Sequence, residues 1–152
     1  MERARKGKRR TIAGKAYDTS PHYEPSDFVS CVVFVPTPNP CNGGWTARQR
    51  MHYSKEQRER TLQALRAYPD SLKGKFAAGC TITICRLSSK NVDKLNLAAC
   101  LKHVIDAIAM WILGGTPGER DDDPKLEWII EQGKAKKGEQ SVRVLIEPRM
   151  EK

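Results

Sequence analysis

The run GCTITICRLSSKNVDKLNLAACLKHVID, Gly79 to Asp106, governs how the rest of the chain is read. From Gly79 to Leu87 the residues alternate around Ile82 and Ile84, the two-residue period of a half-buried strand. From Leu97 the apolar residues Leu101, Val104, Ile105, Ile108, Trp111 and Ile112 follow helical spacing, and GGTPG, from Gly114, ends the helix. A strand passing through a polar turn into an amphipathic helix is the beginning of an α/β unit.

Working outward, FVSCVVFV (Phe28–Val35) is a nearly continuous run of strand-forming residues. The following PTPNPCNGGW excludes regular structure with three prolines and a glycine pair. A helix is expected from Ser54, its N-cap, with Gln57 completing a capping box, and Pro69 stops it. Beyond the central helix, ERDDDP forms an acidic turn. LEWIIEQ and SVRVLIEP then read as two strands joined in a hairpin by GKAKKGE. The order is β-α-β-α-β-β without an internal repeat. The fold expected is a single α/β (α+β) domain over residues 27–150, a small mixed sheet with two helices packed on it. A basic arm without regular structure is expected at 1–26.

A chain of 152 residues is long enough for one domain with a real core. Its net charge is +9 and its pI near 9.5, a balance that favours a polyanionic partner. Arg3, Arg5, Lys6, Lys8, Arg9, Arg10 and Lys15 stand against the single acid Glu2, so residues 1–15 carry +6 of that charge. Such an arm suits non-specific contact with DNA phosphates, and equally a solubilising tail. No apolar run approaches the roughly 20 residues of a membrane-spanning helix, and the basic start lacks the apolar stretch of a secretory signal. No membrane partner and a cytoplasmic location are therefore expected. The five cysteines include no C-x-x-C pair, so a disulfide framework is not expected. Cys41 with His52, or Cys80 with Cys85, matches no standard zinc spacing.

GGTPGERD lacks the Gly-Lys-Ser/Thr ending of a phosphate-binding P-loop, and there is no G-x-S-x-G elbow. His22, His52 and His103 are dispersed. The remaining chemistry is acidic. Asp93 lies between a strand and a helix, and Asp121, Asp122 and Asp123 lie between a helix and a strand. Carboxylates at such junctions can converge on Mg²⁺ and activate water against a phosphodiester, although on the residues alone DDDP reads first as a solvated turn. Asn96 reads as an N-cap for a helix from Leu97. Lys102 and Asp106 sit one turn apart, on the face opposite Leu101, Val104 and Ile108. They form either a plain ion pair or part of a phosphate contact.

VDKLNL, KHVIDAI, ERDDDPKLEW and GKAKKGEQSVRVLIEP, in this order, resemble the RusA-like Holliday-junction resolvases of phages and bacteria. The resemblance covers roughly Phe28 to Pro148. It implies a structure-specific endonuclease that binds branched DNA as a homodimer and resolves it by Mg²⁺- or Mn²⁺-dependent hydrolysis in recombination and repair. The setting it implies is a bacterial cytoplasm, phage genes included. By position, Asp93 matches the first loop acid, Asn96 the loop Asn, Lys102 and Asp106 the helical Lys and Asp, and Asp122 and Asp123 the distal acids. The resemblance thus implies metal ligation by Asp93, Asp122 and Asp123, support from Asp106, and phosphate contact by Lys102. The chain departs from the family at Leu95, which occupies the place of an acid, and Lys94 stands where longer variants have another. The alternative is a degenerate relative that grips DNA, or a host protein, without cutting.

Overall fold

The computed structural model describes residues 27–39 and 45–149, together with the backbone of 9–12 and 15–18. Six strands and four helices are seen among them: β1 (Arg9–Ile12), β2 (Lys15–Asp18), β3 (Val29–Val33), α1 (Ala47–Leu65), α2 (Asp70–Ala77), β4 (Cys80–Ser88), α3 (Lys94–Cys100), α4 (Lys102–Leu113), β5 (Leu126–Lys134) and β6 (Ser141–Pro148). Within the segment expected to lack regular structure, β1 and β2 pair as an antiparallel hairpin. The main sheet has the order β3-β6-β4-β5.

The alternation read in Gly79–Leu87 governs this sheet. Ile82 and Ile84 are fully buried, and in register with them Trp128 and Ile130 of β5 and Ile146 and Val144 of β6 point to the same face. Against that face pack Leu65, Phe76, Leu97, Val104, Ile108 and Trp111, so all four helices contribute to one core. The Trp111 ring lies 6.2 Å from that of Phe76. Trp111 and Ile108 thus join the core formed on Ile82 and Ile84. Thr81, Thr83, Glu127, Glu131 and Arg143 occupy the opposite face by the same registers. Among the described residues, no single helix is long and apolar enough to cross a membrane.

The expected order of elements needs three corrections. First, four helices are seen among the described residues of the domain rather than two. The first expected helix ends at Leu65, short of Pro69, and α2, which was not expected, begins at Asp70 with Pro69 as its N-cap; the second expected helix bends by 56° at Leu101 between α3 and α4. Leu101 leaves helical geometry at φ −108° and ψ 5°, with no Gly or Pro to announce it. Second, the N-cap of α1 lies eight residues before Ser54. Thr46 is its N-cap: the Gln49 amide N–H donates to Thr46 Oγ1 at 3.1 Å, and Thr46 N–H donates to Gln49 Oε1 at 2.9 Å. The pattern at Ser54 and Gln57 lies inside the helix, where Gln57 is buried and donates to the carbonyls of Pro36 and Cys100.

Third, β5 and β6 are not a hairpin. β5 pairs with β4 in parallel and β6 with β4 antiparallel, so β4 lies between them. The connection 135–140 arches over the end of β4, where Ala135 N–H donates to Ser88 O at 3.0 Å. Spanning two strand spacings, about 10 Å, is easy for six residues.

A candidate nucleic-acid cleft at the end of the sheet

β4 ends at Ser88, and the loop 89–93 turns from it into α3. Three side chains, two from β5 and one from β4, fix this loop. Gln132 of β5 accepts from Val92 N–H at 3.0 Å and donates to Val92 O at 2.8 Å, satisfying both backbone groups of the residue before Asp93. Lys134 Nζ reaches Ser89 O at 3.4 Å. Arg86, only 5% exposed, donates through Nη1 to Lys90 O at 3.0 Å. The same guanidinium donates to Thr37 O through Nε at 3.2 Å and Nη2 at 3.0 Å, and to Thr37 Oγ1 at 2.9 Å. Thr37 N–H in turn donates to Gln140 Oε1 at 3.3 Å. The loops after β3, after β4 and before β6 are thereby tied together.

They enclose a cleft of about 440 Å³, lined by Pro38, Arg86, Lys90, Asp93, Asn96 and Gln140 among others. Asp93 is the only carboxylate lining it among the described residues. It stands at the N-cap of α3 but makes no capping hydrogen bond, so its carboxylate stays available at the cleft. Because α3 starts at Lys94, positions 93 and 95 are not neighbours in an extended loop. On a helix, residues two apart face different ways, whereas those three apart share a face. Asn96 accordingly lines the cleft beside Asp93, while Leu95 is 93% exposed and does not. Asn96 is within α3 rather than capping a helix from Leu97.

The other expected site residues lie elsewhere. Cys80 pairs with Leu126 at one end of β4 and Ser88 with Lys134 at the other. The two ends are separated by about 26 Å at a strand rise of about 3.3 Å per residue. Asp93 follows the far end, and the turn at 121–123 precedes the near one. In that turn Asp121 O accepts from Trp128 Nε1 at 2.8 Å, and Asp123 Oδ1 accepts from Lys125 N–H at 2.9 Å. Asp122 is exposed. The turn reading of DDDP describes these contacts.

Lys102 and Asp106 do meet, Nζ to Oδ2 at 3.4 Å, but not on a solvated face. Lys102 is exposed, whereas the Asp106 side chain is 5% exposed. The segment after α4 folds back over it, so that a Cβ added at Gly118 would come within 3.8 Å of its carboxylate. His103 Nδ1 lies 3.9 Å from the same carboxylate oxygen. Burial lowers the His103 pKa below its ordinary value, Asp106 partly opposing and Arg58 and Lys102 adding to the effect.

Among the described residues, no three His, Cys, Asp or Glu side chains are grouped so as to hold a metal ion. Asp93, Asp122 and Asp123 therefore do not fit Mg²⁺ or Mn²⁺ as a set in this arrangement. Burial pushes the thiols of Cys31 and Cys80 up to about 12, well away from nucleophilic use at neutral pH. Of the arm residues expected to touch DNA, Arg3, Arg5, Lys6 and Lys8 lie outside the described residues, as do the side chains of Arg9, Arg10 and Lys15. Sequence reasoning missed Arg86, Gln132 and Gln140. Apart from the Lys90 carbonyl, four residues from Arg86, their partners are backbone groups or Thr37, 40 or more residues away, and no local spacing signals them. Compared with known protein families and with curated proteins, the chain matches none.

Proposed function

We propose that this chain is a RusA-like protein that binds branched DNA, as a homodimer, through the cleft at the end of β4 and without cutting the strand. One observation carries this reading: among the described residues, Asp93 stands alone as an acid in a cleft whose charged neighbours are Arg86 and Lys90. Hydrolysis at a metal centre needs several oxygen ligands around the ion, and a single carboxylate beside two cations is a poor start. A phosphate backbone is attracted by the same cations. The net charge of +9 acts in the same direction over a longer range. Two-fold symmetry of a four-way junction is what makes a symmetric dimer the matching assembly.

Cleavage is the second reading, and the Gln132 clamp favours it. Fixing both backbone groups of Val92 holds Asp93 in one place, as a catalytic acid requires. A synthetic four-way junction separates the two readings. Binding without cutting gives a retarded band with chelator present and no nicks when Mg²⁺ or Mn²⁺ is added. Symmetric nicks with either metal would replace it by the resolvase reading. Equal affinity for the junction and for linear duplex of the same length would remove the RusA-like reading altogether.

A further inference from the structure

On the other side of the arch 135–140 lies a larger groove, about 1080 Å³. Its walls include Phe34, Leu87, Lys134, Lys136, Gln140 and Arg143. By strand register Leu87 and Arg143 point to the face away from the helices, so this groove opens on that face, and Gln140 borders both it and the Asp93 cleft. Two features of the groove are unusual for a plain surface. Phe34 is 62% exposed, yet its backbone is fixed by Arg60 Nη1 donating to its carbonyl at 3.0 Å. Lys134, Lys136 and Arg143 form no ion pairs among the described residues, and Glu139 is the one acid in the lining.

We infer that this groove is a binding site for single-stranded nucleic acid, with a base stacked on Phe34 and backbone phosphates on Lys134, Lys136 and Arg143. The inference builds on the nucleic-acid reading above and specifies the form of the strand. Cations without counter-ions supply the phosphate contacts. An exposed aromatic ring held by its backbone supplies a stacking platform, and only an unpaired base offers it a face. In duplex DNA that face is covered by the neighbouring base pairs. A strand splayed from a branch point meets the requirement, and so does single-stranded RNA.

The test is fluorescence anisotropy of the full-length chain with labelled single strands of about 12 nucleotides, one DNA and one RNA, and with a duplex of the same length. Tighter binding of a single strand than of duplex is expected, and the comparison of DNA with RNA identifies the source. Phe34→Ala should weaken single-strand binding roughly 5- to 150-fold, while Phe34→Trp preserves it. Replacing Lys134, Lys136 and Arg143 by Gln should reduce the salt slope by about two. Circular dichroism melts of each variant check that the fold is intact, as expected for the exposed Phe34, Lys134 and Lys136 and the half-buried Arg143. Single-strand binding that is absent, or that survives both Phe34→Ala and the triple substitution unchanged, overturns the inference. A junction shift that persists without single-strand binding would overturn it while leaving the junction reading in place. Phe34-dependent single-strand binding with equal junction and duplex affinity would do the reverse.

Discussion

Arg86→Met removes every donor of a buried guanidinium while keeping most of its apolar stem. Three of its four hydrogen bonds end on Thr37, which is fully buried, and one on the carbonyl of Lys90, which is exposed. The Lys90 carbonyl can turn to water; Thr37 cannot. Leaving the carbonyl and the hydroxyl of Thr37 without these donors costs about 1–3 kcal/mol each. Relief of the buried charge offsets part of this, because desolvating an ion costs several kcal/mol. The net loss should be about 2–4 kcal/mol. In urea, with a slope of about 2 kcal/mol/M, the unfolding midpoint should fall by about 1–2 M at unchanged slope. Arg86→Lys should fall nearly as far, since one ammonium cannot span Thr37 and Lys90 as the planar fork does. An unchanged midpoint in Arg86→Met would show that burial of the charge cancels its bonds, and the clamp would then contribute nothing to stability.

Trp111→Ala should cost roughly 3–5 kcal/mol, read as a lower urea midpoint, because its ring packs in the core against Phe76; a midpoint equal to that of the parent would place the ring outside the core. For His103, burial depresses the folded pKa below 6.5, so the unfolded chain takes up the proton first as pH falls. Its contribution to stability is complete above pH 6.5 and is lost below it, toward the folded pKa. Melting temperatures between about pH 7.5 and 5.5 should therefore decline more steeply in the parent than in His103→Gln, and equal slopes would refute the assignment. Leu95→Asp should leave Mn²⁺ binding, followed by electron paramagnetic resonance, unchanged, because position 95 faces solvent and not the cleft. Tighter Mn²⁺ binding would mean that positions 93 and 95 share a side.

The strands were legible where one face is buried. Ile82 and Ile84 in β4, and Val142, Val144 and Ile146 in β6, alternate with residues of the other face, and register follows from that alternation. Strand neighbours were not legible. The sequence around GKAKKGE permits a hairpin, and only the competition of β4 for both partners rules it out. The start of α1 was ambiguous because Thr46–Gln49 and Ser54–Gln57 satisfy the same capping pattern, and nothing local decides between them. The bend at Leu101 carries no Gly or Pro, so apolar periodicity ran through it unbroken. At the site, Asp93 was found from its place between strand and helix. The outward orientation of Leu95 was not legible, because nothing local announces that the helix already starts at Lys94. The burial of Asp106 was not legible, because helical spacing does not include the segment around Gly118 that covers it.

The place of β6 in the sheet bears on how the protein is made. Among the described residues, β3 has β6 as its sole partner in the sheet, and β6 also closes the free side of β4. During synthesis from the N-terminus, β3 leaves the ribosome more than a hundred residues before the strand that completes it. The helices and the parallel β4–β5 pair can form in the meantime, but β3 and one side of β4 must wait with their backbone groups unpaired. Contacts so distant in sequence form late and slowly. A nascent chain halted before Ser141 should thus expose two open strand edges to proteases and to self-association, and acquire protection only once Pro148 has cleared the exit tunnel.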